Sequence, residues 1–257
     1  MNRTALITGA SIGIGYELSK IFARNGYNLV LVSRTKQKLE AIADKLENKH
    51  GIQTKVIPKD LSKSIAPVEL YEEIVSDNIE INVLVNNAGF GLNGKFVDLK
   101  AEKQMDLIQL NISSLTMLSK LFGADMAKRR SGKILNVAST GAFQAGPFMS
   151  TYYASKAYVL LFSEGIANEL AQDGVDVSVL CPGPTHTEFG DRAEMSHTKV
   201  LNVPWVMDAA EVAEAGFSGL MNRKKIIIPG VMNKILAFST RLMPRSFLVL
   251  ILRYLNQ

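Results

Sequence analysis

The chain has 257 residues, of which 47% are hydrophobic and 21% are charged, and its formal net charge is +5. This is ordinary globular composition, with enough apolar residues for a large core. The single cysteine, Cys181, excludes an intramolecular disulfide and fits a reducing compartment. The three histidines show no metal-ligand spacing, and with one cysteine we expect no metal site.

Several classes of protein lack their sequence signals here. The N-terminus has no apolar run long enough for a signal peptide, and no segment approaches the ~20 apolar residues of a membrane span. The basic residues near the C-terminus form one cluster with few aromatics between them, so we expect no nucleic-acid partner. We therefore expect a cytoplasmic protein, with peripheral membrane contact left open.

Seven short apolar runs alternate along the chain with longer helical patterns. The runs lie at 4–8, 28–34, 54–61, 81–89, 133–139, 176–183 and 224–230, and the helical patterns at about 14–25, 36–50, 66–77, 101–129, 152–169 and 208–221. Continuous runs of Val, Ile and Leu are typical of strands buried on both faces. The alternation predicts an α/β fold with a doubly wound parallel sheet of about seven strands, a Rossmann fold.

We assign residues 1–230 to this single domain and residues 231–257 to a helical C-terminal tail. Apolar residues recur in the tail with helical spacing, and Pro244 should end or kink the first helix. A second apolar run, 247–252, is flanked by Arg245 and Arg253. The tail could pack on the domain, on a sister subunit or, through its arginines, on an anionic membrane surface.

The first predicted strand ends in a glycine-rich turn in which Gly9, Gly13 and Gly15 have the spacing GxxxGxG. Glycines let the backbone turn sharply and approach a pyrophosphate, and the following helix N-terminus supplies N–H groups and a positive dipole end. Because the cluster follows a strand and opens a helix, it favours a dinucleotide site over an unliganded tight turn. The same predicted site includes Ser11, Ile12 and Ile14.

Arg34 stands at the end of the second predicted strand, where the choice between NAD and NADP is made. No acidic residue follows until Glu40, and NAD sites place an acid here for the ribose 2′-hydroxyl. A guanidinium suits a 2′-phosphate by charge and by bidentate geometry. The sequence therefore favours NADP(H), although a surface arginine at a strand end would read the same.

The segment from Ser139 to Lys156 carries the predicted proton-transfer chemistry. If Tyr152 begins a helix, Lys156 lies one turn later on the same face, and its ammonium group lowers the pKa of the phenol from the usual value of about 10. Such a tyrosine can exchange a proton near neutral pH. Tyr153 and Lys156, at i and i+3, could do the same, and a solvated helix face would also show this spacing.

Taken in order, these motifs resemble the short-chain dehydrogenase/reductase superfamily over nearly the whole chain. The matching pieces are the TGASIGIG turn, Asp60-Leu61 after strand three, Asn86-Asn87-Ala88-Gly89 after strand four, Asn111 in the next helix, Ser139, Tyr152-x-x-x-Lys156, and Pro182-Gly183 after strand six. The family pattern selects Tyr152 over Tyr153. The loop that contains Pro147 and the extended tail are similar to the branch of 17β-hydroxysteroid and 3-ketoacyl reductases.

The resemblance implies a role for each catalytic position. Ser139 would hydrogen-bond the substrate carbonyl, and Tyr152 would donate the proton in reduction or remove it in oxidation. Lys156 would lower the pKa of Tyr152 and bind the nicotinamide ribose. Asn111 would relay protons through ordered water, or would satisfy backbone groups at a helix kink. The hydride chemistry would belong to the cofactor.

The same resemblance implies the remaining cofactor contacts. They are Asp60 and Leu61 at the adenine; Asn87, Ala88 and Gly89 at the adenosine ribose; and Pro182, Gly183 and Thr185 or Thr187 on the nicotinamide side. Asn86 is expected to be structural.

Substrate contacts are expected from three segments rich in apolar and aromatic residues. They hold Phe143, Pro147, Phe148 and Met149; Phe90, Leu92 and Phe96; and, in a predicted mobile lid at about 187–206, Phe189, Met195, Val200, Leu201 and Trp205. An apolar lining favours a hydrophobic carbonyl compound.

The leading hypothesis is an NADPH-dependent reductase of a hydrophobic ketone or aldehyde that forms a homodimer or homotetramer. The reverse reaction, an NADP-dependent alcohol dehydrogenase, would use the same residues. A non-catalytic NADP(H)-binding redox sensor is the alternative from another class. A sensor would have no need to keep Ser139, Tyr152 and Lys156 together.

Overall fold

A computed structural model describes residues 3–193, 198–199 and 203–256 of the chain. The strands in this part are β1 Thr4–Thr8, β2 Asn28–Ser33, β3 Thr54–Pro58, β4 Val83–Asn86, β5 Gly132–Val137, β6 Val175–Leu180, β7 Thr185–His186, β8 Met207–Asp208 and β9 Ile226–Ile227. The α-helices are α1 Gly13–Arg24, α2 Lys36–His50, α3 Ala66–Ser76, α4 Ala101–Ile108, α5 Leu115–Lys128, α6 Ser150–Glu169, α7 Phe189–Arg192, α8 Ala209–Met221, α9 Val231–Ser239 and α10 Arg245–Leu255.

Seven of these strands form one parallel sheet in the order β3-β2-β1-β4-β5-β6-β9. The chain builds outward from β1 to β3 on one side and then crosses to β4 on the other side of β1. The strand order therefore reverses between β1 and β4, where Ala5 pairs with Val83. Ligands of open α/β sheets bind outside the carboxyl ends of the strands at such a reversal. The predicted fold is confirmed.

Alternate residues of the strands pack on opposite faces of the sheet. In β1, Ala5 and Ile7 face the cluster that α1, α2 and α8 cover, whereas Leu6 faces the cluster that α3 and α5 cover. Helices thus bury both faces, and this explains why the strands are continuous apolar runs and not alternating patterns.

Several predicted element boundaries were wrong. The third strand ends at Pro58, after which Asp60 and Ser62 form a local side-chain turn, and the seventh strand keeps only the two residues of β9. The helix predicted over 101–129 is interrupted by a π-helical turn, Gln109–Ser114. Such turns often accompany functional sites, and periodicity alone does not reveal them.

The predicted break at Pro244 is present, because α9 ends at Ser239 and α10 begins at Arg245. The side of α10 that carries Leu248 and Leu252 is buried against the rest of the protein. Among the residues that the structure describes, no helix is both long enough and apolar enough to cross a membrane.

A buried polar network links β4 and β5 to α5 and α6 below the ends of the strands. Asn86 Nδ2 donates to Asn136 Oδ1 at 2.9 Å and to Ser119 Oγ at 3.0 Å, and Asn136 Nδ2 donates to Ser163 Oγ at 2.9 Å. Asn86 is therefore part of the framework under the site, as the sequence predicts.

We expect Asn136→Ala to destabilise the protein by about 2 kcal/mol, because it leaves buried partners of the network without hydrogen bonds. Chemical denaturation measures this free energy of unfolding. Asn222→Ala, at an exposed helix end, is the matched control and should change stability by less than about 0.5 kcal/mol. Equal effects of the two substitutions would contradict the assigned role of the network.

Candidate active site

The carboxyl ends of the central strands open into one cleft with a volume of about 1090 Å³. Most of the predicted site residues line it: Gly9, Ser11, Ile12, Gly13, Ile14, Arg34, Asp60, Leu61, Asn87, Ala88, Gly89, Ser139, Tyr152, Lys156, Pro182, Gly183, Thr185 and Thr187. Gly15 and Asn111 are not among the lining residues. The fold therefore brings together positions that lie up to 178 residues apart in the sequence, from Gly9 to Thr187.

The glycine-rich turn has the close packing that excludes side chains. Gly9 and Gly13 have φ values of +67° and +55°, in the left-handed region that favours glycine. A Cβ atom on Gly15 would lie 2.3 Å from the carbonyl oxygen of Gly9. Gly15 thus allows α1 to approach the turn, and Gly9 and Gly13 allow the left-handed backbone that the turn requires.

Asn87 joins the ends of β1 and β4 across the reversal of strand order. Its Nδ2 donates to the carbonyl oxygens of Thr8 at 2.9 Å and Gly9 at 3.2 Å, and its backbone N–H donates to Thr8 Oγ1 at 3.0 Å. The backbone N–H of Ala88 donates to the same hydroxyl at 3.0 Å. This clamp fixes the turn against the neighbouring strand.

Charged and polar groups gather at the end of β2. Arg34 is exposed at the cleft, and the buried hydroxyl of Ser33 beside it has no hydrogen-bond partner among the described residues. Burial raises the pKa of Asp60, but hydrogen bonds from Ser62 and the charges of Arg34 and Lys63 outweigh burial, and the net pKa is below the usual value. An exposed guanidinium and an unpartnered hydroxyl together suit a phosphate group.

Ser139, Tyr152 and Lys156 meet in the middle of the cleft. Ser139 Oγ accepts a hydrogen bond from Gly141 N–H at 3.0 Å and also hydrogen-bonds the Tyr152 phenol. Lys156 Nζ donates to the carbonyl oxygen of Val137 at 2.8 Å and lies 5.8 Å from the centre of the Tyr152 ring. The lysine is thereby held at the end of β5, one helical turn below the tyrosine.

Burial shifts the pKa values of this pair in opposite directions. Loss of solvation lowers the pKa of Lys156 to about 8. Burial raises the pKa of Tyr152 above its usual value, and the Ser139 hydrogen bond, which lowers it, does not compensate. The expectation of a net lowering for Tyr152 was wrong, because desolvation of the phenolate exceeds the favourable contacts.

The two adjacent tyrosines have different surroundings. Tyr153 is buried, and its hydroxyl donates to Asn256 Oδ1 at 3.4 Å. A Cβ atom on Gly146 would lie 2.5 Å from the Tyr153 ring, so this loop packs directly on it. Tyr152, by contrast, has both Ser139 and Lys156 beside it.

Asn111 lies in the π-helical turn and is almost fully buried. Its Oδ1 accepts from Phe90 N–H at 3.2 Å, and its Nδ2 donates to the Phe90 carbonyl at 3.0 Å and to Ser155 Oγ at 3.1 Å. Asn111 thus satisfies the backbone of the loop after β4. Its role as a proton relay stays a prediction.

The predicted substrate contacts divide into two groups. Phe90, Leu92, Met149, Phe189 and Trp205 line the cleft. Phe96, Phe143, Pro147 and Phe148 do not line it, and for these the prediction was wrong. Met195, Val200 and Leu201 lie outside the described residues.

Two of these errors have a clear physical cause. Phe143 packs against the core cluster around α6 and β6, and Phe96 is 64% exposed to solvent. An aromatic residue in a loop can point toward the core or the solvent as easily as toward the site, and the sequence does not distinguish these directions.

The C-terminal helices contribute residues to the cleft that the sequence patterns did not predict. Asn233 of α9 is buried at the cleft, and a Cβ atom on Gly183 would lie 2.2 Å from its Oδ1. Leu248, Leu252 and Leu255 of α10 also line the cleft. Their spacing of i, i+4 and i+7 is the pattern of one helix face. This spacing is the sequence signal that indicates a buried side of α10.

Comparison with known proteins gives relatives for most of this chain. The short chain dehydrogenase family matches residues 3–197. The 17-beta-hydroxysteroid dehydrogenase type 3 of Mus musculus is 37% identical over 71% of this chain and 60% of its own length. The very-long-chain 3-oxoacyl-CoA reductase of Anas platyrhynchos is 31% identical over 88% of this chain and 72% of its own length. The chain therefore spans less than two thirds of the mouse protein.

A solved structure has the same fold over nearly its full length. A short-chain dehydrogenase from Sphingobium yanoikuyae in complex with NADPH is 33% identical, with a TM-score of 0.84 over 96% of this chain and 94% of that one. The named relatives also confirm the predicted branch. The chain belongs to the short-chain dehydrogenase/reductase family.

Proposed function

We propose that the protein is an NADPH-dependent oxidoreductase that reduces a hydrophobic ketone or aldehyde to an alcohol. The observation that carries this proposal is the meeting of Ser139, Tyr152 and Lys156 in the cleft that the glycine-rich turn and Arg34 also line. The similar Sphingobium structure holds NADPH. Its binding of NADPH supports the same cofactor here.

The residues at the cleft fit this cofactor. The turn that contains Gly9 and Gly13 lines the cleft at the N-terminus of α1, where a pyrophosphate would bind. Arg34 and the unpartnered Ser33 hydroxyl would take the 2′-phosphate. When bound, NADPH would supply the hydride for the carbonyl carbon.

The protein side chains would act on the carbonyl oxygen. The hydroxyl groups of Ser139 and Tyr152 would both donate hydrogen bonds to it, and Tyr152 would then transfer its proton. The raised pKa of Tyr152 keeps the phenol protonated at neutral pH, which favours its role as donor in reduction. Lys156, with its pKa lowered to about 8, can pass on a proton near neutral pH.

The substrate part of the cleft is apolar. It is lined by Phe90, Met149, Phe189 and Leu252. The ring centres of Phe189 and Tyr152 are 5.3 Å apart. The relatives named above are a 17-beta-hydroxysteroid dehydrogenase and a very-long-chain 3-oxoacyl-CoA reductase, so both names denote substrates with a large apolar part, a steroid or a long acyl chain. We infer a bulky hydrophobic ketone as the substrate class.

Tyr152→Phe should lower kcat for carbonyl reduction by roughly 10²–10⁴-fold while NADPH affinity changes by no more than about twofold. Steady-state loss of nicotinamide absorbance measures the first and ligand titration the second. Tyr158→Phe, on the same helix but outside the cleft, is the matched control. If Tyr153→Phe were inactive and Tyr152→Phe active, the assignment of the proton donor would be wrong.

Arg34→Asp should reduce the preference for NADPH over NADH by roughly 10²-fold, because a carboxylate repels the 2′-phosphate and suits a 2′-hydroxyl. Parallel titrations with the two nucleotides measure this ratio. Lys36→Asp makes the same kind of charge reversal two residues away and should leave the ratio nearly constant. An unchanged ratio in Arg34→Asp would remove this residue from the phosphate site.

We further propose that the outer side of the C-terminal tail contacts an anionic membrane surface. The homodimeric or homotetrameric state of the protein stays a prediction. Large apolar side chains on this side are exposed, among them Phe238, Phe247 and Leu250 at 53–65%. No acidic residue follows Glu214 in the sequence, whereas Arg241, Arg245 and Arg253 do. Two copies would bring like charges together, whereas anionic lipids would attract them.

Substituting both Phe247 and Leu250 with Gln should weaken binding to vesicles of phosphatidylcholine with phosphatidylserine by roughly tenfold or more, since apolar contact area is lost. Vesicle sedimentation with and without the anionic lipid is the measurement. Leu161→Gln, an equally exposed leucine on α6, should have no effect. A change in subunit number by light scattering with vesicle binding intact would show that this surface joins subunits instead.

A further inference from the structure

The C-terminal residues described in the structure close the substrate side of the cleft. Leu252 of α10 is buried in one cluster with Met149, Tyr153 and Ala193, and the rings of Tyr152 and Phe189 pack against this cluster. One face of α10 is therefore a wall of the compartment in which a carbonyl compound would meet Tyr152.

The attachment of this wall depends on Asn256, which follows α10 directly. Its side chain is fully buried, Nδ2 donates to the carbonyl oxygen of Pro147 at 2.9 Å, and Oδ1 accepts from the Tyr153 hydroxyl at 3.4 Å. The backbone carbonyl of Asn256 accepts from Asn93 Nδ2 at 3.1 Å. One residue thus joins the end of α10 to the loop after β4, to the loop before α6, and to α6 itself.

Besides Asn256, α10 is held by its apolar face and by two cation–π contacts, Arg253 over the Phe148 ring at 5.6 Å and Lys199 over the Tyr254 ring at 3.4 Å. Leu248 and Leu252 are its buried residues, whereas Phe247, Leu250 and Tyr254 are more than half exposed. A helix of 11 residues is marginal in water by itself. The buried amide of Asn256 fixes the C-terminal end of this helix.

We propose that Asn256 is a latch that holds α10 closed over the substrate compartment, and that it thereby sets which hydrophobic carbonyl compounds bind beside Tyr152. Asn256 is a positioning residue, since it acts through α10 and Tyr153. The claim about substrates rests on the proposed reductase activity. The claim about the latch rests on the contacts alone.

Amide hydrogen exchange of the full chain tests the latch without reference to activity. In Asn256→Ala, exchange in residues 248–255 should become at least about tenfold faster, because the Pro147 carbonyl and Tyr153 hydroxyl lose buried partners. Exchange in the core helix α1 should stay as in the wild type. Asn222→Ala, an asparagine at the exposed end of α8, is the matched control and should leave α10 unchanged.

Two further variants separate a latch from general destabilisation. Asn256→Asp keeps the size of the side chain and the acceptor oxygen for the Tyr153 hydroxyl. It loses the N–H group that donates to the Pro147 carbonyl, so exchange in α10 should also become faster. Asn93→Ala removes only the bond to the backbone of Asn256 and should have a smaller effect in the same direction. If α10 exchanges at the wild-type rate in all three variants, the latch does not exist.

Kinetics test the consequence for substrates. Asn256→Ala should raise KM for a bulky hydrophobic ketone by about tenfold, leave KM for a small aldehyde within about threefold, and leave NADPH affinity unchanged. Equal changes in KM for both substrates would overturn the role in selectivity. If the wild type reduced no carbonyl compound at all, the proposed function would fail, while the exchange experiment would still decide whether Asn256 is a latch.

Discussion

The close approach of β1 and β4 at the reversal of strand order determines the geometry of the rest of the site. Asn87 clamps the end of β1 through the carbonyl oxygens of Thr8 and Gly9, and Gly15 brings α1 to within contact of the same turn. There is no space for a side chain at Gly9 or at Gly15. The opening that remains is bounded by backbone, and a phosphate group needs such a surface.

Burial then sets the protonation of the reactive pair. Lys156 is held under Tyr152 by the Val137 carbonyl, and burial lowers the pKa of the lysine and raises that of the tyrosine. In the proposed reaction, the protonated phenol of Tyr152 would donate the proton, and Lys156, with its pKa lowered to about 8, would resupply it.

Helix α10 contributes side chains both to the cleft and to the outer surface of the protein. Leu248 and Leu252 of α10 face the cleft, while Phe247 and Leu250 face outward. One helix therefore forms both a wall of the cleft and a part of the outer surface. Asn256 stands at the point where this coupling is fixed to the domain.

The sequence by itself determined the fold class, the succession of strands and helices along the chain, and most of the residues that line the cleft. Continuous apolar runs, the turn at Gly9 and the spacing of Tyr152 and Lys156 are local patterns, and local patterns are visible in one dimension. The family resemblance also selected Tyr152 over Tyr153, and the hydrogen bond of Ser139 to Tyr152 agrees with that choice.

Only the tertiary structure decided the remaining questions, because they depend on contacts between segments far apart in the chain. Asn256 meets Tyr153 across 103 residues and Pro147 across 109, and no pattern within the tail indicates these partners. The direction of the pKa shift of Tyr152 likewise depends on how completely the fold removes solvent, a property of the packed cleft. Phe143 lies in the core and not in the site for the same reason.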